Sequence, residues 1–169
     1  MERIPQLIKH LETDMTEITQ AWIKQLNQIE TTTTKEALQH IKTSADVDSG
    51  IVITYLRSSY VTESHHFKLA IYQKEPFTNP PLYQTFLDMK FLYVQIASYM
   101  EILIKKLTPP YVRILSYEKE EIRRTFTAKL YEESYHFFER VLTELESEDK
   151  KIPVYFGEEM GQLITIGAM

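Results

Sequence analysis

Glycine is nearly missing from this chain. Three of its four glycines are Gly157, Gly161 and Gly167, which leaves Gly50 alone in the first 156 residues. Phosphate cradles and dinucleotide-binding turns need glycine for positive φ and for close approach of the backbone to the ligand. The sequence therefore holds neither a P-loop nor a Rossmann fingerprint. A Ser-His-Asp hydrolase built on a glycine elbow is equally unsupported. What a glycine-poor chain does well is coil, and apolar spacing becomes the main guide to its fold.

At 169 residues, with 43% hydrophobic and 25% charged residues, the chain has the size and composition of one globular domain. There is no cysteine, so disulfides, thiolate metal sites and cysteine nucleophiles are excluded. Lys and Arg number 19 against 24 Asp and Glu, a net charge of −5 with the signs interspersed, which argues against nucleic acid as a partner. The opening Met1-Glu2-Arg3-Ile4-Pro5 is unlike a secretory signal, and no apolar run reaches the length of a membrane span. A cytoplasmic protein without a membrane span is expected.

The spacing predicts helices. Ile4, Ile8, Leu11, Met15, Ile18, Trp22, Leu26 and Ile29 recur at steps of three and four, as on one face of a long amphipathic helix. Thr31 to Thr34 then forms a loop offering an N-cap to a helical turn from Lys35. From Ile51 to about Gln73 a further helix is expected, with Ile51, Tyr55, Tyr60, Phe67 and Ile71 inward. The β-branched run Ile51 to Tyr55 could instead be a strand, but it has no evident partner other than the C-terminal tail. After Asn79-Pro80-Pro81, the residues Leu82, Phe86, Met89, Tyr93, Ile96, Met100, Leu103 and Leu107 keep the helical step throughout, predicting one deep helix. Thr108-Pro109-Pro110 ends it. A last helix runs to about Glu146 with Leu115, Ile122, Phe126, Leu130, Phe137, Val141 and Leu145 inward, closed by Glu148 to Lys151 and Pro153. The expected fold is thus all-α, with about five to seven helices in residues 1–150 and a short extended or irregular tail, residues 151–169, packed on the domain.

Two Glu-x-x-His pairs, Glu63 with His66 and Glu133 with His136, have the spacing of di-iron carboxylate bundles, with Glu17 and Glu101 as further ligands. In an antiparallel pair Glu101 and Glu133 would lie roughly 24 Å apart along the axis, too far for one cluster. His136 and the His65-His66 doublet could alternatively accept phosphate in a helical phosphotransfer module with a packed core. Eleven Tyr, eight Phe and six Met favour either a bulky core or a cavity for an amphiphile.

The segment Leu11 to Leu26, a leucine-containing helix leading to the lone Trp22, and the corner Leu107-Thr108-Pro109-Pro110-Tyr111 resemble the haem-less globin-like sensor domains of bacilli, found in stressosome proteins and in sporulation kinases with their free-standing relatives. In haem-binding relatives an iron-ligating histidine falls near what is Ile102 here, and Phe91 to Leu107 contains none, so no haem is expected. The resemblance implies a globin-like bundle that binds a fatty acid and a halide such as chloride and forms a homodimer. It also implies a non-enzymatic role, inhibiting sporulation by sequestering the signal of a sensor kinase. For the pocket, Tyr55, Tyr93, Ile96, Met100, Phe126 and Phe137 are expected to line the cavity, and Arg57, His65, His66 or Tyr99 to anchor a carboxylate or halide.

Overall fold

In the computed structural model, which describes residues 3–145 and 151–169, the first amphipathic segment coils as its spacing requires. Helix α1 (Arg3–Leu26) buries Leu7, Leu11, Met15, Thr19, Trp22 and Leu26 along one stripe, and the Trp22 indole N–H donates to the Leu92 carbonyl at 2.9 Å. Thr31 takes the N-cap position of α2 (Thr32–Lys42), which turns Leu38 and Ile41 inward.

From here the chain departs from an all-α bundle. The segment expected as a helix over 51–73 is β1 (Ser49–Tyr55), α3 (Arg57–Thr62) and β2 (His66–Gln73). All seven residues of β1 are buried, as in a central strand covered on both faces. It pairs antiparallel with β2 in the register Ile51↔Ile71, Ile53↔Leu69 and Tyr55↔Phe67. The most regular stripe in the sequence is also divided: it becomes β3 (Tyr83–Asp88), a 3-10 turn over Lys90–Leu92, and α4 (Ile96–Lys106). Phe86, expected inward, lies outward and 55% exposed, while its neighbour Leu87 is buried. A side-chain period of two puts neighbouring residues on opposite faces.

The Pro109-Pro110 corner follows α4 as expected, and the long last helix is broken in two, α5 (Ser116–Glu133) and α6 (Tyr135–Glu144). At the break the Ser134 hydroxyl donates back to the Leu130 carbonyl at 2.9 Å, a local bond that bends helices. Ile122, Phe126, Leu130, Phe137, Val141 and Leu145 are inward, as their spacing predicts. The run Glu148 to Lys150, expected to close this helix, lies outside the described residues.

The C-terminal residues are strands: β4 (Pro153–Glu158) runs parallel to β1, with Ile53 opposite Phe156, and β5 (Leu163–Ala168) returns antiparallel to β4. Their turn is tight at Gly157, where a Cβ would stand 2.3 Å from the Gln162 carbonyl oxygen. The finished sheet has the order β3-β2-β1-β4-β5. Its inner face, with Ile51, Ile53, Tyr55, Phe67, Leu69 and Ile71, shares one core with the helices. On the outer face a small cluster of Val52, Ala70 and Tyr72 is covered by Phe77, Tyr155 and Leu163, none of them helical. The globin-like all-α architecture is therefore corrected to a mixed α/β one, because strands distant in sequence satisfy one another's peptide groups.

Candidate functional site

Two residues with left-handed backbone flank the step from α3 into β2, Glu63 at φ 57° and His65 at φ 50°. Side chains other than glycine adopt this region at a cost, and here the turn aims His65 into the core. The imidazole stacks on Tyr93 with 4.8 Å between ring centres, and its Nδ1 shares a 2.7 Å hydrogen bond with the Tyr131 hydroxyl. Tyr93 in turn bonds the Ser134 hydroxyl at the α5–α6 break. Tyr55, Tyr60, Phe67 and Tyr93 all touch Tyr131 through their rings, so the centre of the protein is filled by aromatic side chains.

Burial sets the charge of this network. Desolvation lowers the His65 pKa, Arg123 and Lys90 push it the same way, and Glu63 and Asp88 oppose. Desolvation likewise raises Tyr55, Tyr93 and Tyr131. A neutral imidazole among neutral phenols follows. Since the folded His65 holds a proton less readily than the unfolded chain, whose histidine pKa is about 6.5, the native state should lose stability as pH falls below that value and keep it above. Urea unfolding between pH 5 and about 8 should show this slope, and His65→Phe, which keeps a stacked ring without a titrating group, should flatten it.

Arg123 holds α3 from the α5 side. Its guanidinium donates to the Tyr60 and Val61 carbonyls at 3.2 and 3.3 Å, pairs with Glu63 at 3.0 Å and reaches Glu120 at 2.6 Å. The carbonyls belong to the last turn of α3, which has no intrahelical donors for them. One planar cation with several fixed donors satisfies both carbonyls and both acids.

The residues expected to line a pocket separate into several places. Tyr55, His65 and Tyr93 meet around Tyr131, in a packed interior. Tyr99 lies edge-on to Phe126 at 6.0 Å, and its hydroxyl donates to Gln95 at 2.6 Å. Phe137 packs on Phe138 and on the partly exposed Phe91, and Ile96 is buried in the core. His66 opens β2 opposite Asp88. Arg57 and Met100 lie on opposite flanks of α5, each in a surface groove. They do not surround one cavity.

The Glu-x-x-His pairs are not repeated helical motifs. Glu63 to His66 spans the left-handed turn, and Glu133 meets His136 at 3.3 Å across the helix break. Among the described residues no group of three His, Asp or Glu side chains is placed to hold a metal.

The groove between α1, α3 and α5 measures about 1000 Å³ and mixes Ile8, Tyr60 and Ala128 with Lys9, Arg57 and Glu132. The groove between α4 and α5 measures about 480 Å³ and is simpler in chemistry. Ala97, Met100 and Ile104 form an apolar wall, and Lys105, Lys119 and Arg123 stand beside it with Glu101 and Glu120. Among the described residues Lys105 and Lys119 have no ion-pair partner, whereas Arg123 is engaged by Glu63 and Glu120. The Glu120-x-x-Arg123 spacing, one helical turn, was the available sign of a fixed guanidinium. Tyr131 lies one residue off the inward stripe of Ile122, Phe126 and Leu130 and carried no such sign.

In comparisons with known proteins, the chain matches no protein-family model, no curated protein and no solved structure.

Proposed function

We propose that this protein is a non-enzymatic regulator that binds an amphiphilic anion of the fatty-acid class in the groove between α4 and α5. The observation that carries the reading is the pairing of an apolar wall, Ala97, Met100 and Ile104, with the ammonium groups of Lys105 and Lys119, which have no ion-pair partner among the described residues. An acyl chain laid along the wall leaves water at about 0.8 kcal/mol per buried methylene, and the flexible Met100 thioether adapts to its shape. The carboxylate lies within the field of the lysines. At about 480 Å³ the groove has the size of small-molecule sites, roughly 300–1000 Å³. The interior around Tyr131, by contrast, is filled with aromatic rings.

Occupancy has a route to the rest of the fold. Arg123 lines the same groove and holds the end of α3, so a ligand carboxylate competes with Glu63 and Glu120 for one guanidinium. A regulator that sequesters a kinase's signal, including one that restrains sporulation, would work through such a site. Chloride would compete at the same two lysines.

Titration with a fluorescent sixteen-carbon fatty acid, followed by displacement with palmitate, tests the reading. Saturable one-to-one binding is expected, weakening with salt. Lys105→Glu with Lys119→Glu should weaken it about tenfold or more, which is about 1.4 kcal/mol. Ala97→Trp should block the wall, and both variants should unfold like the parent. If no saturable binding occurs and native mass spectrometry shows only bare polypeptide, the alternative of a packed-core interaction module gains.

A further inference from the structure

The sheet ends at β3 in a mostly exposed strand with few of the usual defences of an edge, α2 touching it without burying it. Natural edges carry lysines, prolines or bulges, or lie under a helix, to prevent pairing with another chain. The strand Tyr83-Gln84-Thr85-Phe86-Leu87-Asp88 has no lysine and no proline, one charge at its very end, and an unbroken register against β2. The opposite edge is different, since β5 pairs with β4 through an irregular register at Val154/Tyr155.

Which peptide groups are free follows from the ladder. Met89 N–H donates to the His65 carbonyl at 3.0 Å, one step beyond the His66↔Asp88 pair. Antiparallel strands bond through every second pair. Leu87 and Thr85 therefore bond to β2, the Leu82 N–H donates to the Ile71 carbonyl at 2.8 Å where the strand begins, and the N–H and C=O groups of Gln84 and Phe86 point away from the sheet. Apolar surface accompanies them, with Phe86 and Leu82 each 55% exposed and Tyr83 38% exposed.

We infer that β3 pairs antiparallel with β3 of a second copy, about a two-fold axis at Phe86, joining two five-stranded sheets into one. The strand is self-complementary in this register. Phe86 meets its own counterpart, Gln84 faces Asp88 of the other copy, and no like charges are opposed. The same strand used twice satisfies both sets of free peptides, as a closed two-fold interface requires. The two Phe86 rings lie on the same outer face and shield each other from water.

Sedimentation of the full chain across a concentration series tests this, read together with amide hydrogen exchange. A species of about twice 20.0 kDa is expected, with exchange at Gln84 and Phe86 slowed about tenfold or more as it forms. Phe86→Lys should return the protein to a monomer. So should Gln84→Pro, which removes an N–H that β2 does not use. Both variants should still unfold cooperatively. A parent that stays monomeric at every concentration overturns the inference, as does a dimer that leaves those two amides exchanging freely or one that survives both substitutions. Should either variant misfold, the exchange measurement on the parent decides alone.

Discussion

Phe67→Ala should cost about 3–5 kcal/mol of folding free energy, the range for truncating a fully buried aromatic. Domains of this size are stable by about 5–15 kcal/mol, so the loss is a large share of the total. Phe67 is fully buried on the inner face of β2, and its ring meets those of Tyr55, Tyr93, Tyr131, Phe138 and Phe156. These come from β1, the turn after the 3-10 helix, α5, α6 and β4, so the cavity would open where most elements meet. Urea unfolding should show a lower midpoint with an unchanged slope. Phe67→Leu should recover part of the loss. A cost below about 1 kcal/mol would mean that the centre collapses freely and is not packed as described.

Removing residues 152–169 should abolish cooperative folding. A tail merely docked on a helical bundle could be lost with a modest change in stability. Here the deletion strips β4 from the central strand β1 and takes Phe156 and Val154 out of the core. It leaves one edge of β1 unpaired between two apolar faces. The truncated chain should keep much of its helical circular dichroism, lose the near-ultraviolet aromatic signal and bind a hydrophobic dye, the marks of a compact state without fixed packing. Phe156→Asp should act in the same direction while leaving chain length unchanged. A truncated protein that unfolds in one sharp transition near the parent's midpoint would show these strands to be dispensable.

The misreading of 51–73 has a definite cause. Ile51 and Tyr55, like Phe67 and Ile71, are four residues apart, and residues so spaced share a face in a helix and in a strand alike. All four are buried, and Tyr60, the fifth residue expected inward, is partly buried against the same core, although the element is not the helix expected. The residues that discriminate are those two apart: Ile53 and Leu69 are buried beside them, as a period of two demands. The C-terminal tail, the one partner considered for β1, does pair with it, together with β2. In 82–107 the steps of three and four run unbroken through a strand, a 3-10 turn and a helix, and the exposed Leu82 and Phe86, the latter beside the buried Leu87, betray the change.

The candidate site was less legible. Met100 and Arg57 lie in grooves, but Lys119 and the engaged Arg123 acquire meaning only when α3, α4 and α5 are brought together. Tyr55, His65 and Tyr93 do converge, on Tyr131, and they form a packed support.

The amino-acid sequence on its own determined α1, the corner at Pro109-Pro110, the inward stripes of the last helices and the lack of glycine-built nucleotide loops. Each of these depends on residues within a few positions of one another. A helix closes its hydrogen bonds over four residues, so its signal is local. Only the tertiary structure decided that 49–55, 66–73, 83–88 and 153–158 are strands and where the grooves lie. A strand's peptide groups are satisfied by another segment, and β1 finds one of its partners about a hundred residues away, where no local spacing records it.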